Sequence, residues 1–374
     1  MTEQTEETAD PISAARMGRR RFLKGAGVAG ATIPIAGGLV ISSCYQDPNA
    51  KKTESAATTA PAGAGGGSGA PAPAPAAIQG PDWKKIDADH KKGVEDFLQN
   101  QQTPLTKGKG NQPLPFTVDG NVKVFQLTAD EVDWEIEPGR TEKARGYNKM
   151  IPGPILRATE GDRIRVVVKN NLTESHGVHW HGVTVPNNMD GVPFVTQDPI
   201  LPGASWTYEF TLRNWGTHMY HAHHNSMDQM NRGLLGAFII DPKDSSVYPK
   251  HDKEVIMISN DTLLGFTLNG KAFPATDAIV AKKGERILLR WMNEGMMMHP
   301  WHVHGLVMNV FARDGFLLQA PFKCDTLDVS PGTRWDAYID ATEPGVWALH
   351  CHILSHAESP AGFFGMVTAI VVTE

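Results

Sequence analysis

Cysteine is scarce. Three residues in 374 leave no room for a disulfide-built scaffold, so the fold must rest on a hydrophobic core. A basic excess is missing too: 35 lysines and arginines face 41 aspartates and glutamates, for a formal net charge of -6. Nothing there would draw a phosphate backbone, which removes nucleic acid from the expected partners. Long helical periodicity is nearly absent. The extended uncharged run at 25–43 is too rich in glycine and alanine to make a spanning helix. With 41% apolar and 20% charged residues, pervasive disorder is excluded, and the length suits two or three domains. Histidine is what the chain has in plenty. Fourteen of its 15 histidines fall between His176 and His356, the first sign of a metal protein.

Residues 1–43 read as an export signal and stand outside the fold argument. Arg19-Arg20-Arg21-Phe22-Leu23-Lys24 sets a cationic cluster before the uncharged run and resembles the twin-arginine signal. Ile41-Ser42-Ser43-Cys44 resembles a lipobox, in which Cys44 would become the lipidated first residue. Residues 44–81 are mostly Ala, Pro, Gly, Thr and Ser, a composition that cannot repay its ordering entropy and serves as a tether. An exported protein follows, periplasmic or on the outer cell surface, held to a membrane through Cys44.

Beyond an N-terminal extension at 82–112, whose polar stretch around Trp83 to Gln101 has helical character, the texture turns to strands. Segments 122–127, 163–168 and 206–212 mix β-branched and aromatic residues between Gly, Pro, Asn and Asp, and the same texture returns at 254–259, 286–291, 335–339 and 366–372. This is all-β sandwich material. An internal repeat runs through it. His179-Trp180-His181-Gly182 is echoed by His302-Val303-His304-Gly305. Gly216-Thr217-His218-Met219-Tyr220-His221-Ala222-His223 is echoed by Gly345-Val346-Trp347-Ala348-Leu349-His350-Cys351-His352. A third match joins 233–240 to 365–372. Three matches in one order imply a duplicated sandwich, at 113–245 and 246–374.

The repeat carries four His-x-His pairs: His179/His181, His221/His223, His302/His304 and His350/His352. Residues two apart on a strand share a face, so each pair presents two imidazoles to one place. Eight imidazoles suit copper or zinc better than the oxygen-seeking magnesium or calcium, and they exceed what one zinc would use. Cys351, between two of these histidines, adds a thiolate. Two histidines, a cysteine and a weak axial methionine make a blue-copper electron-transfer centre. His356, five residues on, and His299, from the neighbouring strand, complete the histidines, and Met366 is the expected axial ligand. Cys324 has no such company and reads as an idle thiol.

The four pairs, with His299-Pro300-Trp301-His302-Val303-His304-Gly305 and His350-Cys351-His352-Ile353-Leu354-Ser355-His356, resemble the multicopper oxidase signature. The duplicated body resembles the two-domain, laccase-like members, over about residues 115–374. That resemblance implies tandem cupredoxin-like Greek-key β-sandwiches and four coppers per chain: one type 1, one type 2 and two type 3. By motif, His299, Cys351, His356 and Met366 resemble the type 1 ligands. His179 and His302 resemble the type 2 pair, and His181, His221, His223, His304, His350 and His352 the type 3 six. Asp190, in Asn188-Met189-Asp190-Gly191, resembles the proton-supplying acid near the type 2 copper, with Glu358 a weaker second choice. Cys351 would join the electron-accepting copper to the cluster. In the resembled group the two halves of each cluster meet between subunits of a homotrimer.

Two departures stand out. The 356–366 loop is longer than the family's usual spacing and sets Ala361 where the axial residue often falls. Ala222 replaces cysteine in the first sandwich, which therefore makes no blue site of its own. The expected acceptor is dioxygen, and the expected donor a phenolic or other small molecule. A cuprous or other metal-ion donor is the alternative, since Met296-Met297-Met298 adjoins His299 and offers thioethers, though an apolar rim is the simpler reading. A copper nitrite reductase would need only three catalytic histidines and carries its blue cysteine in the first sandwich. A copper-storage protein would not need Cys351 wired between cluster ligands.

Overall fold

The computed structural model describes residues 82–374, so the export signal, Cys44 and the tether lie outside the described residues. The described chain opens with the helix Trp83–Asn100. Asp82 caps it by accepting the Lys85 N–H at 3.3 Å, and Lys85/Asp89 and Lys92/Asp96 pair one turn apart on its wet side. Its buried Phe97 joins Phe273, Ala357, Val367 and Ala369 in a small apolar cluster on the second sandwich.

Two sandwiches follow. In the first, the long strand Val122–Glu137 pairs in parallel with Arg163–Asn170, which pairs with Ser205–Thr211. The facing sheet runs Leu156–Thr159, Leu235–Asp241, Gly216–Ala222 and Val178–His179. In the second, Lys253–Thr262 pairs in parallel with Arg286–Asn293, then Arg334–Asp340 and Met308–Arg313. Its facing sheet runs Ile279–Lys282, Val367–Thr373, Gly345–Cys351, His299–Val303 and Thr326–Val329. The repeat seen in the motifs is thus a repeat of topology. The tandem cupredoxin-type sandwiches are those expected from the strand texture.

Alternation explains which residues fill each core. Arg163–Asn170 places Ile164, Val166 and Val168 inward and Arg165 and Lys169 outward. Arg286–Asn293 breaks that pattern because it is covered on both faces. Ile287, Leu289 and Trp291 enter the second core, where Trp291 stacks on Trp301 at 4.9 Å. Met292 faces the first sandwich and packs with Met219, Leu235, Ala237 and Ile239. Arg290, on the same outward face, donates to Thr217 Oγ1 at 2.7 Å and to the Tyr248 hydroxyl at 3.1 Å, and pairs with Asp336 at 3.5 Å and with Glu254. This buried polar knot locks the two sandwiches together; a charge that deep is tolerated only with partners.

Candidate metal centres

The geometry of the second sandwich begins with one strand. Along Gly345–Cys351, Leu349 and Cys351 point into the core, while His350 and His352 point out of the sheet. The paired strand His299–Val303 does the same: Trp301 lies opposite Cys351, His302 opposite His350, and His299 is buried. Two sites therefore form back to back.

The inner one gathers His299, Cys351 and His356. Their ligand atoms lie within 4.8 Å of one another, with Cys351 Sγ 3.7 Å from His299 Nδ1 and 3.6 Å from His356 Nδ1. Two imidazole nitrogens and one sulfur converging in a dry pocket fit copper, and their chemistry is wrong for a hard cation. Burial pushes the thiol up to about 11 and holds His356 below its ordinary value. A thiol so reluctant to ionise favours a soft metal ion as the group that displaces its proton. Phe266 stacks on the His356 ring at 4.1 Å.

Met366 is brought to this centre by its backbone. The Cys351 N–H donates to the Met366 carbonyl, and the Met366 N–H to the His356 carbonyl, both at 3.0 Å. Its side chain is buried in the same core cluster as Cys351. The extra length that departs from the expected spacing is folded out as a hairpin, Glu358–Ser359 against Gly362–Phe363. Gly365 closes it at φ +63, where an added Cβ would stand 2.5 Å from the His356 oxygen. Phe363 stands edge-on to both His90 and Phe273, and Glu358 accepts from His90 Nε2 at 3.1 Å. Glu358 thus serves the helix, and the weaker proton assignment finds no geometric support.

The outer site is a quartet, His302, His304, His350 and His352, with neighbouring rings 4.7–5.8 Å apart. The first sandwich has a matching quartet, His179, His181, His221 and His223, at 5.4–6.2 Å. In both, the ring proton is held away from the centre. His221 Nδ1 donates to the Ala222 carbonyl at 3.1 Å, and His350 Nδ1 to the Cys351 carbonyl at 3.0 Å. His179 Nδ1 donates to the Asp190 carbonyl at 3.0 Å, with the Asp190 carboxylate 3.4 Å away. His302 Nδ1 donates to Thr326 Oγ1 at 3.0 Å. In these four the Nε2 atom is left to bind, whereas His181 turns its Nδ1 to the site. His181 Nδ1 lies 3.2 Å from His221 Nε2, and His304 Nε2 lies 3.1 Å from His350 Nε2. Such spacings match two nitrogens sharing one ion at about 2 Å each. Burial drives His181 down to about 4 and His221 to about 3, so both are neutral, as ligands must be.

Among the described residues, every close ring pair of these eight lies within one quartet. Gly182, at φ +87, leaves room for Arg334 and His218, which a Cβ there would meet. His218 is buried, not a quartet member, and His224 leaves the strand to meet Phe194 at 6.0 Å. His176 is buried between Gln229 and Tyr147. Asp261 went unnoticed in the sequence. Its carboxylate touches His299 from the facing sheet, 38 positions away, and no local motif announces it.

Comparison with known proteins agrees with this geometry. Family patterns described as multicopper oxidase match residues 128–245 and 247–373. A solved multicopper oxidase, mgLAC, is 35% identical, with a TM-score of 0.64, over 67% of this chain and 86% of that one. The blue copper oxidase of Nitrosomonas europaea is 31% identical with a TM-score of 0.62, over 67% and 85%. The copper resistance protein A homolog of Pseudomonas syringae pv. tomato is 38% identical over 136 residues, 36% of this chain and only 23% of that longer protein. With both sandwiches matched and the His179–His181–His221 and His299–Cys351–His356 clusters suited to copper, the chain belongs to the multicopper oxidase family.

Proposed function

We propose that this is a laccase-like oxidase, which draws electrons singly from a phenolic or other small donor at the His299–Cys351–His356 centre and delivers them to dioxygen at a cluster built from the two quartets. One observation carries the reading: Cys351 faces two inner imidazoles while His350 and His352 face the outer quartet, so a few covalent bonds join both metal sets. Copper bound at these residues would supply reversible one-electron chemistry, four ions holding the four equivalents that turn dioxygen into two waters. Met366 would complete the inner set. His179 and His302 would hold the type 2 ion, and His181, His221, His223, His304, His350 and His352 the type 3 pair. Asp190 fixes His179 through its carbonyl and keeps a carboxylate beside the same ring, where it relays protons.

Each quartet supplies half of such a cluster. Phe194 and Val195, both 77% exposed, follow Asp190 in the chain, and Val307 and Leu354, exposed as well, come soon after His304 and His352. Exposed apolar residues in the half-site segments support head-to-tail closure of copies into a homotrimer. Export and a lipid anchor at Cys44 follow from the leading sequence alone. The test is copper per chain with visible and paramagnetic resonance spectra, native mass, and oxygen uptake across donors. Four coppers, a blue band, type 1 and type 2 signals and a trimer are expected. Two coppers without a coupled pair would favour a nitrite reductase, and little copper after reconstitution a storage protein.

A second reading, oxidation of cuprous or other soft metal ions, draws on the loop before His299. Met296, Met297 and Met298 are 51%, 41% and 42% exposed, and thioethers suit Cu(I). Replacing all three with leucine should then impair cuprous oxidation and spare phenol oxidation; equal effects on both would remove this reading.

A further inference from the structure

We propose that Asp261 is the positioning residue of the inner centre, its carboxylate fixing the proton of His299 on Nε2 and joining that imidazole to the exposed methionine loop. The inference rests on reading His299, Cys351 and His356 as a blue-copper site.

Asp261 lies on Lys253–Thr262, in the sheet facing the one that carries His299, and reaches across the end of the sandwich. Neither its side chain nor that of His299 has exposed surface. Oδ1 accepts the Met296 N–H at 2.5 Å and Oδ2 the Met297 N–H at 2.7 Å. Gly295 makes the closure possible, since an added Cβ would stand 2.4 Å from Asp261 Oδ1. Oδ2 also lies 3.3 Å from His299 Nε2, off the line of a good hydrogen bond, and that buried nitrogen has no other partner.

The chemistry follows from which nitrogen is left. An imidazole protonated on Nε2 presents its lone pair at Nδ1, the atom that faces Cys351 Sγ. Without an acceptor behind it, His299 would spend part of its time protonated on Nδ1, where it cannot ligate. A negative charge behind the ring also favours the more positive state of a bound ion. The same carboxylate holds the backbone at 296 and 297 and leaves the thioethers outside, so the surface nearest the centre and its first ligand share one anchor.

Asp261→Asn keeps the shape without the charge, and Asp261→Ala removes both. In the full-length copper-loaded protein, Asp261→Asn should bind type 1 copper about tenfold more weakly and raise its reduction potential; Asp261→Ala should lose up to about 100-fold in affinity. The type 2 resonance signal of the quartets should persist. Nitrogen-15 spectra of the metal-free chain should find His299 protonated on Nε2, becoming a mixture in Asp261→Asn. An unchanged affinity and potential in Asp261→Asn, or a wild-type proton on Nδ1, would overturn the proposal. If Asp261→Ala loses every copper signal by misfolding, the asparagine variant and the tautomer decide. A wild-type protein with no blue centre would sink the reading of the site instead, and the tautomer would still report on Asp261.

Discussion

Loading the inner centre should cost one proton, and that proton can be counted. Burial pushes the Cys351 thiol up to about 11, so at pH 7 about one metal-free chain in 10⁴ carries the thiolate. Copper binds the thiolate and releases the proton, so its apparent affinity at this centre should rise about tenfold per pH unit between pH 6 and 9. Quartet members differ. His181 and His221, held to about 4 and 3, are already neutral at pH 6, and their binding should be nearly flat over the same range. A competing chelator of known pH dependence, with the blue band and the copper retained by Cys351→Ser followed in parallel, separates the two. Three pH units should change the blue centre by about a thousandfold and the ion held by His181 and His221 by far less. Cys351→Ser should abolish the blue band and its proton release while leaving quartet copper in place. Parallel pH slopes for both signals would refute the argument.

The same linkage acts on stability, with a definite sign. The folded thiol keeps its proton up to about 11, whereas the ordinary value is 9.0. Between these values the unfolded chain has released a proton that the folded one retains, so metal-free stability falls as pH rises. The loss is about 3 kcal/mol through pH 9 to 11, and nothing is lost below. Chemical denaturation of the metal-free protein at pH 8 and 11, beside Cys351→Ser, reads it directly.

Asp336→Ala, which strips a carboxylate from buried Arg290, should cost about 3–5 kcal/mol in denaturant unfolding, toward the lower end because Glu254 remains. Phe97→Ala should cost about 3–5 kcal/mol locally and speed hydrogen exchange at 358–363, with a shifted blue band, because the helix backs the hairpin that positions His356 and Met366; normal exchange there would deny that link. Asp190→Asn should keep the carbonyl bond to His179 and full copper, yet slow oxygen turnover by about 10²-fold with a changed pH profile.

The histidine quartets were legible because strand alternation is a local rule: His-x-His on a strand means two imidazoles on one face wherever the strand lies. By the same rule Cys351 had to face the other way from its neighbours. Contacts between sheets follow no such rule. Asp261 meets His299 only because two sheets close over one another, and the Asn260-Asp261-Thr262 segment looks like any strand end. The hairpin at 358–363 read as mere extra length, since its anchor, the helix at 83–100, is remote in sequence. Arg290, a cation amid strand-core residues, became intelligible only when the first sandwich was seen to cover that face.

Duplication also leaves a mark in the first sandwich, and it can be tested. Val178 lies opposite Ala222 and His179 opposite His221, the register in which Trp301 faces Cys351 and His302 faces His350. His176 precedes His179 by three positions, as His299 precedes His302, so His176 stands where a blue-copper ligand would. It is buried, but its Nδ1 donates to Gln229 Oε1 at 2.8 Å and its Nε2 accepts from the Tyr147 hydroxyl at 3.2 Å. Both nitrogens are committed, and the position matching His356 is Met227, which is exposed. Ala222→Cys therefore restores the thiol without the imidazoles. It should bind no further copper and add nothing to the blue band, while folding with a buried thiol. Added blue intensity in this variant would mean that Gln229 yields His176 readily, and that a missing thiol, not a missing pair of histidines, keeps the first sandwich from holding its own electron-transfer site.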